Sequence, residues 1–298
     1  MKDRKLAENG KFVTLDNGMQ MGYCEFGEEN EEIIVVGAFY YISFNIFLKI
    51  LAKKYHVYGI LMRMGGEGTE RNADGTVNWI RQWGLDTYQV TQKLGLKKFH
   101  FVGKCHGVMP GWYMIKEHPE VILSMSSISQ SMHVCDADSN LWFELLAKEG
   151  PLFALRGIKK TKLLALKAEE AKIAGLTLAL SQTENVPVPE TDETDYVPEP
   201  PKDPSLGYYG SHAEAMFNSR EEVKEFMENI KTPVLHVFPT EDVLHWDFKT
   251  ANITAAHIIP GARSVFLQGE RHLIEMDMPE LLAREVDFFI QGTKLPYE

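Results

Sequence analysis

Short apolar runs punctuate the chain, and their spacing predicts strands and helices in alternation. Lys11–Leu15 and Met19–Phe26 flank Asp16-Asn17-Gly18, and Asn-Gly between two such runs predicts a β-hairpin. Four further runs, Ile33–Val36, Val57–Leu61, Phe99–Val102 and Val121–Leu123, are apolar throughout rather than alternating. That pattern belongs to parallel strands covered on both faces. Between them, Val77–Leu94 brings Val77, Ile80, Gly84, Tyr88 and Leu94 near one helical face, with Thr76 as its N-cap. Strand alternating with helix predicts an α/β fold.

The alternation stops after Ser129. Leu141–Ala147, Lys162–Leu180 and Ser219–Ile230 have helical periodicity. Within this region Glu184–Pro204 carries six prolines and seven acidic residues, a composition that buries no core and predicts an exposed, mobile loop. Strands resume with Val234–Phe238 and Ser264–Leu267, and a helix over Pro279–Phe289 closes the chain, with Pro279 suited to its first turn. The organisation expected is a core of residues 1–130 and 218–298, with a helical cap of residues 131–217 inserted between its halves. No internal repeat interrupts this plan.

The most apolar stretch, Ile33–Leu48, is shorter than the roughly 20 residues of a membrane helix and is interrupted by Gly37, Ser43 and Asn45. A buried strand leading into a loop and a helix accounts for it, and no membrane span is expected. A net charge of −11 disfavours nucleic acid and anionic surfaces as partners. Cys24, Cys105 and Cys135 are too few and too widely spaced for a disulfide framework or a metal cluster. Met1–Glu8 has no apolar segment behind its charges, so no signal peptide is read there and a cytoplasmic location with reduced thiols is expected. Neither a metal nor a cofactor is expected, and the partner is a small molecule.

Chemistry concentrates where an apolar strand meets a helical segment. Gly103-Lys104-Cys105-His106-Gly107 lies between the Phe99–Val102 strand and Val108–His118, in the order glycine, any residue, nucleophile, any residue, glycine. A nucleophile on so sharp a turn occupies strained backbone space, and flanking glycines relieve the crowding. The helix start behind it favours a thiolate. Such a thiol needs a base, and the base an orienting carboxylate. Glu241 and Asp242 follow the Val234–Phe238 strand, and His272 follows the last strand, which is the order nucleophile, acid, histidine. Asp242 is preferred for its position further into the loop and its shorter reach, with Glu241 as the alternative acid. His245 and Asp247 nearby read as surface or cap-facing groups.

With these residues in place, everything outside the presumed cap resembles the α/β-hydrolase family. Val35-Val36-Gly37-Ala38 is similar to that family's oxyanion loop, and Arg63-Met64-Gly65-Gly66-Glu67-Gly68 to its Arg-Gly-x-Gly loop. Gly269–His272 with Glu275, Pro279-Glu280 and Phe288-Phe289 resembles its histidine loop and terminal helix. The resemblance implies a mostly parallel sheet flanked by helices, with an oxyanion hole formed by the backbone N–H groups of Ala38 and His106. Three departures stand out: cysteine as nucleophile, Val36 in place of the oxyanion-loop histidine, and Pro239 before the acid loop. Cysteine in this elbow resembles dienelactone hydrolases and polyhydroxyalkanoate synthases, although neither likeness extends further.

The reaction expected is acyl transfer through an acyl-cysteine thioester. Hydrolysis of an ester, thioester or lactone comes first, and transfer to an amine or alcohol is the alternative. Phe39, Tyr40, Tyr41, Ile42 and Phe44 would line an apolar acyl pocket. A ligand-binding member without catalysis is the reading from another class. The segment Glu184–Pro204 is expected to be cut first in limited proteolysis mapped by mass spectrometry; first cuts within Phe99–Val121 would overturn the domain division.

Overall fold

The computed structural model describes residues 10–38, 45–63, 69–70, 73, 77–129, 217, 220–240, 259–270 and 274–295. Residues 131–216 of the expected cap, including the loop of Glu184–Pro204 and Cys135, lie outside them.

Eight strands form one sheet in the order β1-β2-β4-β3-β5-β6-β7-β8. Strands β1 (Gly10–Thr14) and β2 (Gln20–Phe26) are the predicted hairpin, closed at Gly18 with φ of 82°. Asn17 Oδ1 accepts the Met19 N–H at 3.0 Å, the local bond that suits Asn to this corner. Strand β2 pairs antiparallel with β4 (His56–Leu61), and every later pairing is parallel, through β3 (Ile33–Ala38), β5 (Phe99–Lys104), β6 (Ile122–Ile128), β7 (Val234–Pro239) and β8 (Arg263–Leu267). Strands β6 and β7 are neighbours although 105 residues separate them in sequence.

Six α-helices are described: α1 (Asn45–Leu51), α2 (Trp79–Lys93), α3 (Met109–Glu117), α4 (Arg220–Asn229), α5 (Ile274–Asp277) and α6 (Pro279–Gly292). Two apolar layers sandwich the sheet. On one face Trp79, Trp83 and Val90 of α2 pack with Trp112 and Ile115 of α3 and Met227 of α4 against Val35, Phe99 and Phe101. On the other, Phe47, Leu48 and Leu51 of α1 join Leu282, Val286 and Ile290 of α6 against Ile34, Val36, Val102 and Val237. Uniformly apolar strands are therefore explained by helices on both sides.

Two expectations are corrected. Helix α2 begins at Trp79 rather than Val77, and Asn78, not Thr76, is its N-cap, its Oδ1 accepting the Arg81 N–H at 2.9 Å. Strand β6 runs five residues past Leu123 toward the elbow. Its buried Ser124, Ser126 and Ser127 break the apolar pattern, but small side chains fit the crowded interior. Strand β8 is an edge strand, so Phe266 stays 56% exposed despite its apolar sequence context.

His236 in β7 is wholly buried, stacked between Trp112 and Phe238 with ring centroids 6.0 and 5.5 Å away. Neither ring nitrogen meets a hydrogen-bond partner among the described residues. Burial lowers its pKa to about 4. Unfolding restores an imidazole that titrates near 6.5, so this group's contribution is complete above that pH and falls as pH drops toward 4. The wild type should lose about 2 kcal/mol from this one residue between pH 7.5 and 5. His236→Phe should lack that loss. Urea midpoints at the two pH values test this, and equal pH dependence of the two proteins would refute it.

Candidate active site

The C-terminal end of β5 carries an abrupt turn. Lys104 is extended, with φ of −130° and ψ of 138°, and Cys105 has φ of 52°. A non-glycine residue in that region costs about 1–3 kcal/mol and persists only where its surroundings enforce it. From Cys105 the chain makes one tight 3-10 turn to Val108 and enters α3, with Pro110 in the first helical turn. Cys105 is half-buried, whereas His106, Gly107 and Val108 are buried.

Glycine makes this turn possible through close approach. Gly37 of β3 is level with Gly103 of β5 in the sheet. A Cβ on Gly37 would stand 2.3 Å from the Gly107 carbonyl oxygen, and one on Gly103 would stand 2.4 Å from it. Real Cβ atoms do not come so near, so only hydrogen fits at both positions. Further along, a Cβ on Gly111 would meet the Phe101 ring at 2.4 Å, which lets α3 lie directly on β5.

His106 brings more than a backbone N–H. Its Nδ1 lies 3.3 Å from Cys105 Sγ. The edge of the ring arrangement is set by Trp83, whose centroid is 6.1 Å away at an interplanar angle of 76°. Trp83 is itself fixed, donating from Nε1 to the Arg63 carbonyl at 2.7 Å. Arg63 grips Asp86 of α2 with two N–H groups, at 2.5 and 3.2 Å, and donates to Thr69 Oγ1 at 2.8 Å. Gln82 Nε2 completes the set by donating to Asp86 at 2.8 Å. Burial pushes the Asp86 carboxyl upward while Arg63 opposes the shift. The arginine predicted in a loop after β4 is thus a buried brace beneath the elbow.

Lys104, the residue before Cys105, is also buried and faces Glu275 of α5, three residues beyond His272 in sequence. Their charged atoms are 3.2 Å apart, but off the hydrogen-bonding direction, making this an ion pair rather than a directed bond. Burial raises the Glu275 pKa, against the pull of Lys104.

Of the site residues expected from sequence, Cys105, His106 and Ala38 come together at the C-terminal ends of β5 and β3. Glu241, Asp242, His245, Asp247 and His272 lie outside the described residues. The roots of their loops are joined. Thr240 N–H donates to the Leu267 carbonyl at 3.1 Å, and Gly269 N–H donates to Thr240 Oγ1 at 2.9 Å. Pro239 and Leu267 are level in the paired strands, so residues 240 and 268 leave the sheet side by side.

Sequence reading did not single out Ser129. It follows β6 with φ of 61°, is buried, and its Oγ has no hydrogen-bond partner among the described residues. Because Ile128 is level with Lys104, Ser129 stands beside the elbow. Nothing in the local sequence marks it; only the backbone conformation does.

A second polar chain has the order of a catalytic relay. His100 meets Ser124 Oγ at 2.7 Å and Glu32 at 2.9 Å. It lies toward the opposite end of the sheet, where β5 begins, and Ser124 is only 1% exposed. Burial lowers the His100 pKa, so the chain holds strands together instead of meeting a substrate.

No protein-family model and no curated protein matches the sequence. Solved structures do. The chain is similar to a hydrolase from Pseudomonas aeruginosa PA01 at 16% identity and a TM-score of 0.62, over 95% of this chain and 99% of that one. An enol-lactonase from Burkholderia xenovorans LB400 shares 17% identity with a TM-score of 0.62, over 94% and 100% of the two chains. An epoxide hydrolase from Vigna radiata shares 17% identity with a TM-score of 0.61, over 95% and 97%. The fold is the α/β-hydrolase fold. Cys105 lies on the strand-to-helix turn that follows β5. No helix among the described residues is long and apolar enough to cross a membrane.

The steric argument has a direct check. Gly103→Ala should cost about 1–3 kcal/mol or more by displacing the Gly107 carbonyl, and should change the reactivity of Cys105. Gly292→Ala, where a Cβ meets nothing within 4 Å, should be near neutral. Thermal unfolding and thiol alkylation of both variants would measure the contrast; equal effects would remove the constraint.

Proposed function

We propose that this chain is an acyl-transfer enzyme acting through a Cys105-His272-Asp242 triad, and that its reaction is hydrolysis of an ester, thioester or lactone with an apolar acyl part. The observation that carries the reading is Cys105 itself. A thiol is held at positive φ on a turn that two glycines leave only hydrogen-sized room to form, and it stays half-exposed among buried neighbours. Strain kept at one reactive side chain points to function. Solved proteins of similar structure include the enol-lactonase and a naproxen esterase from Bacillus subtilis, which supports a carbonyl substrate.

In this mechanism the thiolate of Cys105 attacks the carbonyl carbon, and its charge passes to the carbonyl oxygen. The backbone N–H groups of Ala38 and His106 receive that oxyanion. Collapse breaks the bond to the leaving group, which takes a proton from the imidazolium of His272. Asp242 holds the imidazole in orientation. A water then attacks the thioester with His272 as base, releasing a carboxylic acid and restoring the thiolate–imidazolium pair. The joined roots at Thr240 and Gly269 support placing acid and histidine side by side. The aromatic run that follows Ala38 would line the acyl pocket, with residues 131–217 as its cap.

Hydrolysis of p-nitrophenyl butyrate and butyryl-thiocholine provides the assay. Cys105→Ala should abolish it, together with iodoacetamide labelling of that position at mildly acidic pH, ahead of Cys24 and Cys135. Cys105→Ser should also lose most activity, since a hydroxyl is not ionised near neutrality. Retained activity with alkylation at Cys24 or Cys135 first would sink the proposal. For the acid, Asp242→Asn should lower kcat by about 10⁴-fold and Glu241→Gln far less; the reverse ranking would make Glu241 the triad acid.

A further inference from the structure

The side chain of His106 has no part in the scheme above, which uses only its backbone N–H. Yet its Nδ1 is 3.3 Å from Cys105 Sγ, within hydrogen-bonding distance of sulfur. The ring is buried, and its plane is set by the edge-on Trp83 indole. That indole is anchored on the Arg63 carbonyl, and Arg63 on Asp86. A chain of buried contacts, polar from Asp86 through Arg63 to Trp83 and aromatic from Trp83 to His106, thus ends on the ring that meets the thiol. The edge-on indole limits tilting of the ring whose Nδ1 meets sulfur. It also leaves the backbone N–H of the same residue independent of what the side chain does.

We infer that His106 is a second catalytic group of this site, whose Nδ1–H donates a hydrogen bond to the Cys105 thiolate and stabilises it before attack. The inference rests on the proposed role of Cys105 as nucleophile. No proton changes hands at His106. His272 takes the thiol proton, and His106 Nδ1 keeps its own while its bond to sulfur strengthens with the negative charge. When sulfur bonds to the acyl carbon its charge is gone and the bond weakens, and it is restored when the thioester is hydrolysed. A charged sulfur accepting an N–H is favoured over a neutral one, which lowers the thiol pKa.

The test is the pH profile of iodoacetamide reaction at Cys105, read by peptide mass mapping in the full-length protein. His106→Phe keeps a ring against Trp83 and keeps the backbone N–H, but removes the donor. Its profile should move up by about one pH unit, so that labelling at pH 5.5 falls about tenfold while rates at pH 9 converge with the wild type. His106→Asn, whose amide can present an N–H near the Nδ1 place, should recover most of the difference. Convergence at high pH is what a merely structural role would not produce. An unchanged profile in His106→Phe overturns the inference, and so does a uniform loss at every pH. If Cys105→Ala abolishes hydrolysis while His106→Phe leaves the profile unmoved, the inference alone fails. If Cys105→Ala retains hydrolysis, the proposed function fails, whatever the profile shows.

Discussion

Three backbone segments meet at the Gly107 carbonyl, and the space they leave is smaller than a methyl group. That carbonyl lies where a Cβ of residue 37 or of residue 103 would stand. Strands β3 and β5 can then run side by side at the level where α3 turns back over them. The turn drives Cys105 to positive φ, points α3 along the sheet and puts His106 behind the thiol. Each of these features fails if either glycine gains a carbon. Reactivity and topology therefore rest on the same close approach.

Around that approach the buried charges come in pairs. A chain of net charge −11 keeps Arg63 against Asp86 and Lys104 against Glu275 beneath the elbow. Removing one member of such a pair is strongly destabilising, whereas replacing both by apolar groups is often tolerated. His236 follows the opposite solution: with no partner among the described residues it remains neutral. Its location in β7, one strand from β6 and two from β5, makes the core of the sheet sensitive to acid.

Much of the fold is legible in sequence because parallel strands covered on both faces must be continuously apolar. Ile33–Val36, Val57–Leu61, Phe99–Val102 and Val234–Phe238 all fall inside observed strands. The pattern fails where burial is achieved without apolar residues, as in the serines of β6, and where apolar residues remain exposed, as in β8. The position of Cys105 on a strand-to-helix turn could be read from two glycines and their neighbours. Its contact with His106 Nδ1 could not, because adjacent residues in a strand face opposite ways and only the turn brings them together. Ser129 was equally hidden, since its distinguishing feature is a backbone angle. The brace at Arg63 was visible only as part of a glycine-rich loop, because its partner Asp86 is 23 residues away.

The Lys104–Glu275 pair has a consequence for how this sequence can vary. Residue 104 is the position next to Cys105, where a change of side chain would otherwise be an easy route to a new neighbour for the thiol. Here an isolated substitution at either position leaves one charge buried without its partner, at a cost of about 3–5 kcal/mol, comparable to a large part of a domain's stability. Positions 104 and 275, distant in the chain, can then drift only in concert or through an intermediate that is barely folded. Covariation between them in related chains would be the historical record of one buried ion pair.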